Sequence, residues 1–299
     1  MNMLNVAIFP NFQKKNALPC ARQVCERLHR LGAQVYVDES YAPEFAEQDY
    51  VHYGVFSSLV YEMDIVIAIG GDGTILRCAK QMISSRALLL GINTGYLGFM
   101  ASLEANELDE LARLVKGDYQ ISRRMLLKGE LYGEGKKTCF TALNDIAVSA
   151  MIGKVFEFSV YADEMLVGRY RADGMVCSTP TGSTAYALSA GGPIMEPELS
   201  CIEIALICPH SLFNRPLLLS SERKISIRHT ANCERTIFLS ADGEPPVAFP
   251  PNYRLDIERS KYEISLVQFR NNGFYDAVNH KLTQSIKGFP EHLSTEERT

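Results

Sequence analysis

The glycine-rich stretch at residues 70–74 is the part of the sequence best suited to do chemistry. It consists of Gly70, Gly71, Asp72, Gly73 and Thr74. It follows the apolar run 65–69, which is typical of a buried strand, and a helix is predicted from Ile75 onward. Glycine N–H groups and the start of a helix both favour phosphate binding, and open α/β sheets bind ligands at the carboxyl ends of their strands. We therefore expect this loop to bind phosphate groups.

Asp72 does not fit a pure phosphate site, because its negative charge would repel the ligand. A carboxylate at this position is explained if it binds a metal ion or accepts a proton from a hydroxyl group. The P-loop motif G-x-x-x-x-G-K-[ST] does not occur in the sequence, so a P-loop architecture is excluded.

Further polar groups lie in the second half of the chain. The hydroxyl-rich segment 178–184 precedes a short helical stretch within residues 185–193, and Arg171 and Asp173 bracket the start of the hydroxyl-rich segment. Hydroxyls and N–H groups at a helix start suit a pyrophosphate or a sugar, although an elaborate turn would show the same pattern. The pair Asn144-Asp145 could bind an adenine edge and a ribose diol, but Asn-Asp by itself is more often a turn. Arg171 and Asp173 by themselves would be a surface pair or a turn.

The elements that carry these residues alternate between strand and helix in the first 121 residues. This alternation predicts a parallel sheet with helices on its faces. The expected strands are residues 4–9, 34–37, 65–69 and 88–92, and the expected helices are residues 16–31, a helix from 75, and 107–116. Gly32 and Gly117 are placed to close two of the helices, and Asn106 to cap the last.

Beyond Ile121, strand-like segments replace the helical periodicity. They are residues 125–132, 137–143, 146–149, 155–162, 165–171, 202–207, 224–228, 236–239, 253–258 and 262–267. This pattern predicts an all-β, sandwich-like C-terminal domain. We expect an α/β domain over 1–121, joined by the C-terminal segment 276–292, a β-rich domain over 122–275, and a disordered tail over 293–299.

The bulk composition excludes several classes of protein. The 299 residues are enough for two domains, and 46% hydrophobic and 22% charged residues are ordinary for a soluble globular protein. A net charge of −5 argues against a general nucleic-acid binder. The 8 cysteines form no C-x-x-C pair, which favours free thiols in a reducing cytosol. No run approaches the roughly 20 apolar residues of a membrane span. We therefore expect a cytoplasmic protein without a membrane or nucleic-acid partner.

Taken together, the motifs resemble those of the NAD kinase family. The resemblance rests on residues 70–74, the second glycine loop 93–99, the pair Asn144-Asp145 and the segment 171–193, and it covers roughly residues 64–220 in the family's order and spacing. Diacylglycerol, sphingosine and related lipid kinases carry a glycine loop similar to the first of these, and phosphofructokinases carry a looser one. The serine- and threonine-rich segment is much more specific to the NAD kinase family.

The resemblance implies that ATP phosphorylates the 2′-hydroxyl of the adenosine ribose of NAD, giving NADP and ADP. It implies a site in the cleft between the α/β domain and the β-sandwich domain, with the latter binding NAD. A divalent metal ion, with Mg²⁺ preferred, and assembly into a homodimer or homotetramer are also implied. No residue is assigned as a metal ligand.

The resemblance also implies roles for individual residues. Asp72 would accept the hydroxyl proton, and Gly70, Gly71, Gly73 and Thr74 would shape the nucleotide loop around it. Phe99 would lie against the adenine of NAD. The remaining predicted contacts are adenine and ribose groups with Asn144 and Asp145, the nucleotide phosphates with Lys154, the nicotinamide end with Arg171 and Asp173, and the dinucleotide with Thr184, Ala185, Tyr186, Ala187, Leu188 and Ser189.

Three positions depart from the commoner family pattern. Asp145 stands where many members have glutamate, so its ribose contact would be direct or through water. Ala172 replaces a residue that is often glycine or serine. Glu244, also counted among the nucleotide-binding residues, stands where glutamine is expected, and a carboxylate cannot donate a hydrogen bond unless it is protonated.

Other functions fit parts of the pattern. A lipid or sphingoid kinase would use the same glycine loop but would need a wide apolar acceptor pocket. A non-catalytic dinucleotide sensor would keep the site without the chemistry, and the intact Asp72 argues against it. A dehydrogenase is disfavoured, because G-x-G-x-x-G is absent after the first strand.

Overall fold

The computed structural model describes residues 3–95, 98–151, 154–211, 215–229, 236–269 and 273–286. By their contacts the residues form two compact units. The first comprises Met1–Ile75, Ala87–Ile121 and Val267–Thr299, and the second comprises Leu76–Arg86 and Ser122–Leu266. The predicted domain boundaries stay a prediction, and this division differs from them at two places. Residues 76–86 group with the second unit, and the chain returns to the first unit at Val267 instead of at residue 276.

The first unit is built on a parallel sheet, as predicted. Its strands are β1 (Asn5–Pro10), β2 (Gln34–Asp38), β3 (Val51–Gly54), β4 (Ile65–Gly70), β5 (Leu88–Asn93) and the short β6 (Leu103–Glu104). The first five lie in the order β5-β4-β1-β2-β3, and neighbours pair in parallel. The strand order reverses between β1 and β4, and open α/β sheets bind ligands beside such a reversal. The glycine loop follows β4 at this point.

The helices of the described residues are α1 (Ala17–Arg30), α2 (Phe56–Leu59), α3 (Asp72–Gln81), α4 (Leu111–Lys116), α5 (Tyr186–Ser189) and α6 (Gly273–Ile286). Short 3₁₀ segments cover Glu39–Phe45, Leu108–Glu110 and Thr181–Thr184. Within the described residues, no helix is long and apolar enough to cross a membrane.

Helix α1 shows why this part of the sequence folds as it does. Val24 and Leu28, four residues apart, lie on one face with Cys20 and are buried in the core with the strands. Burial contributes roughly 1.5–3 kcal/mol for each such aliphatic side chain. The helix predicted over 107–116 is shorter than expected, because a 3₁₀ turn precedes Leu111. Gly117 ends it in a left-handed conformation with φ 74°, as glycine at this position predicted.

The second unit consists mainly of β-strands in two layers, which confirms the sandwich-like prediction. Its strands are β7 (Gln120–Gly133), β8 (Lys136–Ala142), β9 (Asp145–Ala150), β10 (Phe156–Ala162), β11 (Met165–Ala172), β12 (Gly174–Ser178), β13 (Cys201–Ile207), β14 (Leu217–Ser220), β15 (Ile225–His229), β16 (Ile237–Ala241), β17 (Val247–Ala248) and β18 (Arg254–Gln268). One layer has the order β14-β13-β12-β9-β16-β17, and the other contains β11-β10-β15-β18 with β7 and β8.

The two layers share one hydrophobic core. Val148 and Met175 enter it from the first layer, and Phe158 and Ile227 enter it from the second. Alternate residues of the first layer point the other way, where Ala147 and Val176 pack with Ala187 of α5. Helix α5 and the hydroxyl-rich segment therefore cover the outer face of the six-stranded sheet.

The cysteines of the described residues are free, as predicted, and Cys233 lies outside those residues. Most are buried, and burial raises the pKa of the Cys177 thiol to about 12. Such thiols stay protonated at neutral pH and are poor nucleophiles.

Candidate active site

The glycine loop lies where β4 ends and α3 begins. Gly71 and Gly73 have open space where a side chain would stand, so a ligand can approach the backbone there. The first-turn N–H groups of a helix have no intrahelical partner, so they can bind phosphate oxygens. Gly70 serves a different purpose, because a Cβ at this position would lie 2.3 Å from Oγ1 of Thr74.

Asp72 is held in place by the backbone of the second glycine loop. The N–H of Phe99 donates to its Oδ2 at 2.8 Å, and the N–H of Met100 donates to its Oδ1 at 3.2 Å. Gly98 permits this approach, because a Cβ there would lie 2.0 Å from Oδ1 of Asp72. An ionised carboxylate offers about four lone-pair positions. The two N–H groups therefore orient Asp72 and leave acceptor capacity for a substrate hydroxyl.

Two asparagines near the glycine loop were not predicted as site residues. Asn11 follows β1, and its Nδ2 donates to Oγ1 of the buried Thr74 at 3.2 Å. Asn93 ends β5, is buried, and donates to the carboxylate of Glu104 at 3.0 and 3.1 Å. Both lie at the carboxyl ends of parallel strands, which is the sequence signal that could have identified them.

Phe99 lines a cavity of about 220 Å³ within the first unit. The ring of Phe274 from α6 lies across from it, with ring centroids 6.5 Å apart. The predicted contact of Phe99 with adenine stays a prediction.

In the second unit, Asn144 and Asp145 lie in a turn whose backbone is bonded on both sides. Asp242 accepts hydrogen bonds from the N–H groups of Leu143 at 2.9 Å, Asn144 at 2.8 Å and Asp145 at 3.1 Å. Oγ1 of Thr179 donates to the carbonyl of Leu143 at 2.5 Å, and its N–H donates to the carbonyl of Asn144 at 2.8 Å. The N–H of Asp242 completes the set by donating to the carbonyl of Asp145 at 2.9 Å. Sequence reasoning missed the role of Asp242.

The side chains of this turn differ in their environment. Burial, and after it the nearby charge of Asp242, raise the pKa of the Asp145 carboxyl to about 7, against the opposing effects of Lys80 and the N–H of Tyr186. The amide of Asn144 has no hydrogen-bond partner among the described residues. The turn thus presents two neighbouring groups: the amide of Asn144, which is available to hydrogen-bond a ligand, and the titratable carboxyl of Asp145.

Most hydroxyl groups of the hydroxyl-rich segment form hydrogen bonds with nearby backbone groups. Oγ of Ser178 donates to the carbonyl of Thr179 at 2.9 Å, and Oγ of Ser183 donates to the carbonyl of Pro180 at 2.7 Å and accepts from the N–H of Met195 at 3.0 Å. These hydroxyls therefore fix the segment. Oγ1 of Thr181 is buried and has no hydrogen-bond partner within the part of the chain that the structure describes.

The six predicted dinucleotide contacts around α5 do not face the same way. Thr184 and Ala185 are half-buried, whereas Tyr186, Leu188 and Ser189 are exposed. Ala187 is fully buried against Ala147 and Val176. The Ala187 side chain therefore packs in the core, and the predicted contact of this residue with the dinucleotide stays a prediction.

The remaining predicted residues are dispersed over the second unit. Lys154 and Arg171 are exposed, and Arg171 stands opposite Glu157 on β10. Asp173 is half-buried. Burial of Tyr186 is the main cause of the raised pKa of that phenol, and the charge of Asp173 contributes to it. Glu244 pairs with Nζ of Lys80 at 2.8 Å. This ion pair gives the Glu244 carboxylate a protein partner.

The described residues contain no group of three or more His, Cys, Asp or Glu side chains arranged to hold a metal ion. Asp72 is the carboxylate placed beside the predicted phosphate-binding backbone. Mg²⁺ is commonly bound by one or two carboxylates together with substrate phosphates. A single carboxylate, that of Asp72, therefore fits a cation that is bound mainly by the nucleotide phosphates rather than one coordinated mainly by protein side chains.

Comparisons with known proteins cover both units. Residues 6–119 match the family described as the ATP-NAD kinase N-terminal domain, and residues 143–269 match the ATP-NAD kinase C-terminal domain. The chain is 40% identical over 223 residues to an NAD kinase of Clostridium botulinum (strain Kyoto / Type A2), covering 74% of this chain and 79% of the relative. It is 34% identical over 289 residues to an NAD kinase of Symbiobacterium thermophilum, covering 94% and 99% of the two chains.

Two solved structures share the fold. Yeast NADH kinase complexed with NADH superposes with a TM-score of 0.86 at 25% identity, covering 94% of this chain and 88% of the other. An NAD kinase from Archaeoglobus fulgidus in complex with ATP superposes with a TM-score of 0.70 at 25% identity, covering 94% and 99%.

Proposed function

Because the chain belongs to the ATP-NAD kinase family, we propose that Asp72 is the base of a reaction in which ATP phosphorylates NAD. The family resemblance inferred from the sequence is confirmed. The chain is a kinase that uses ATP to phosphorylate NAD, giving NADP and ADP. The observation that carries the role of Asp72 is its orientation by the N–H groups of Phe99 and Met100 beside open glycine backbone.

The proposed step transfers one phosphoryl group and one proton. The 2′-oxygen of the adenosine ribose forms a bond to the γ-phosphorus, and the bond from this phosphorus to the oxygen that leaves with ADP breaks. Asp72 takes the 2′-hydroxyl proton on a free lone pair. Phosphoryl transfer depends mainly on positioning and on stabilising charge. N–H groups at Gly71, Gly73 and the start of α3 would hold the phosphate oxygens, while Gly70 and Thr74 keep the loop in shape.

The second unit would supply the acceptor. The available amide of Asn144 and the carboxyl of Asp145 suit an adenine edge and a ribose diol. The other contacts with the dinucleotide remain proposals. They are Phe99 with the adenine, Lys154 with the phosphates, Arg171 and Asp173 with the nicotinamide end, and the exposed part of α5 with the dinucleotide. The location of the site between the two domains stays a prediction.

A divalent cation, with Mg²⁺ preferred, is proposed as a companion of the ATP phosphates. When bound, it would neutralise charge on the phosphate oxygens. Asp72 is the residue of this chain that would face it. We also propose a cytoplasmic location and a homodimer or homotetramer, and size-exclusion chromatography with light scattering would measure the oligomer.

The deciding experiment is NADP formation by the purified chain. NAD is incubated with ATP or polyphosphate while the metal is varied, and the product is quantified with an NADP-specific dehydrogenase. Phosphorus NMR then identifies the phosphorylated ribose position. NADH is a second acceptor to include, because one structural relative is a NADH kinase. Unchanged ATP with NAD, or turnover with lipid acceptors instead, would refute the proposal.

A further inference from the structure

Asp242 is a buried carboxylate that the scheme above leaves unused. Its side chain is fully shielded from solvent, yet it accepts three main-chain hydrogen bonds, from Leu143, Asn144 and Asp145. Hydrogen bonds to an ionised acceptor are roughly twice as strong as neutral ones. A buried charge without compensation is costly, so this arrangement requires a nearby cation.

Lys80 is that cation. Its Nζ lies 3.6 Å from Oδ2 of Asp242 and 2.8 Å from Oε1 of Glu244, and it donates to the carbonyl of Ala241 at 3.2 Å. The Lys80 side chain is 17% exposed and that of Asp242 is fully buried, so solvent screens this pair only weakly, whereas Glu244 is 57% exposed and its pair with Lys80 is screened more. Burial is the largest influence and leaves the pKa of Asp242 raised overall, although the three N–H groups and Lys80 act to lower it. Among the described residues, the charged or titratable side chains around Asp242 are Lys80, Glu244 and Asp145.

The bonds of Asp242 and Thr179 engage all the backbone polar groups of the turn 143–145. A backbone fixed on both sides holds its side chains in defined directions, and misplacement of a binding group by about 1 Å can cost 10²-fold in rate. The two side chains so fixed are those that the proposed function assigns to adenosine.

We propose that Asp242 is a positioning residue for NAD, which holds the turn 143–145 so that Asn144 and Asp145 meet the adenosine ribose, while Lys80 compensates its charge. This inference rests on the proposed function. It also accounts for Glu244, where the family resemblance led us to expect glutamine: its carboxylate is a second partner of Lys80 and not primarily a nucleotide contact.

The first test is Asp242→Asn. An amide has one acceptor oxygen and turns an NH₂ group toward the N–H donors, so at least one of the three bonds is lost. The KM for NAD should rise by about 10- to 100-fold, while the KM for ATP stays within about twofold. The matched control is Asp163→Asn, which alters a carboxylate that also accepts a main-chain N–H, from Lys224, but is partly exposed.

The second test changes the compensating charge. Lys80→Met removes the cation, so Asp242 should bind a proton more readily, and the KM for NAD should rise as the pH falls from 8 to 6. Lys80→Arg keeps the charge and should restore the wild-type pH profile. A purely structural role of Lys80 would lower the melting temperature without changing the pH dependence of the KM.

Amide hydrogen exchange supplies a readout that does not need activity. In Asp242→Asn, the peptide containing residues 143–145 should exchange at least about tenfold faster than in the wild type, even if the variant is unstable, when rates are compared with those of a peptide from β1. A folded Asp242→Asn variant with wild-type KM values or wild-type exchange would overturn the inference alone. Wild-type protein that does not phosphorylate NAD would instead overturn the proposed function.

Discussion

The carboxylates of the two units are positioned in different ways. Asp72 lies in a five-residue loop, and the residues that orient it, Phe99 and Met100, follow the next strand of the same parallel sheet. Asp145 depends on Asp242 and Lys80, which lie 97 positions later and 65 positions earlier in the chain. The first arrangement uses the local chemistry of a strand end, and the second exists only after a sheet has assembled.

The two regions also differ in their electrostatics. Asp72 is half-buried at an open edge, whereas Asp145 is buried beside a second carboxyl, and its pKa is raised to about 7. Glu203, also on the face of the six-stranded sheet covered by α5, is fully buried, and burial raises its pKa to about 7. The second unit therefore contains buried carboxyls that favour the protonated form. We expect substitutions at Asp72 to change the rate of the reaction, and substitutions of the buried carboxyls in the second unit to change how stability depends on pH.

The largest expected effect is that of Asp72→Asn. The amide retains the shape of the side chain but cannot accept a proton as a carboxylate does. We expect kcat to fall by about 10²- to 10⁴-fold, while the dissociation constant for NAD stays within a few fold. Steady-state kinetics and calorimetric titration with NAD measure the two quantities. Wild-type turnover by this variant would remove the base and metal roles of Asp72 together.

Gly98→Ala should have the next largest effect. The added Cβ would lie 2.0 Å from Oδ1 of Asp72, so the carboxylate must move. We expect kcat to fall by about 10- to 100-fold without a comparable loss of stability. Gly95→Ala is the matched control in the same loop, since its added Cβ would have no atom of a non-neighbouring described residue within 4 Å. Equal activities of the two variants would contradict the orientation of Asp72 described above.

Glu203→Gln tests the buried carboxyls of the second unit. The folded state binds the Glu203 proton more tightly than the unfolded chain, so the free energy of unfolding should fall as the pH rises from about 4.5 through about 7. The loss is on the order of 3 kcal/mol in the wild type. The glutamine variant cannot ionise and should be the more stable protein at pH 8 but not at pH 5. Denaturant unfolding at both pH values measures this.

Glu222→Gln serves as the control for this prediction, because its side chain is 81% exposed. It should leave the pH dependence of the wild type unchanged. If Glu203→Gln shows the same pH dependence as the wild type, Glu203 ionises freely in the folded protein and its burial does not favour the proton.

The smallest effect is expected from Asn11→Ala, which removes the hydrogen bond to Thr74 under the glycine loop. A single hydrogen bond of this kind contributes about 0.5–1.5 kcal/mol to stability. The KM for ATP should rise only a few fold. Asn16→Ala is the control, because Asn16 makes no side-chain capping bond to α1. A larger activity loss than that of Gly98→Ala would mean that Thr74, and not Asp72, is the critical group of the loop.

Much of the fold could be predicted because its signals are local. The run 65–69, the glycines after it and the alternation of helix and strand all act within a few residues, and they predicted β4, the loop and the parallel sheet. The chemistry of the Asn144-Asp145 pair and the family resemblance together predicted that these residues bind adenine and ribose groups. They did not identify Asp242 or Lys80 as supports of this pair, because nothing in the sequence near these residues links them to a turn about 60 to 100 positions away.

The sequence alone determined that Asp72 stands among glycines at a strand end, because strand, turn and helix follow one another without interruption. Only the tertiary structure decided how that carboxylate is oriented, which hydroxyls of residues 178–184 bond internally, and that Ala187 packs in the core. The physical reason is that hydrogen-bond partners and burial depend on which strands become neighbours. Pairing β9 with β12 and β16 brings Asp145 and Asp242 together.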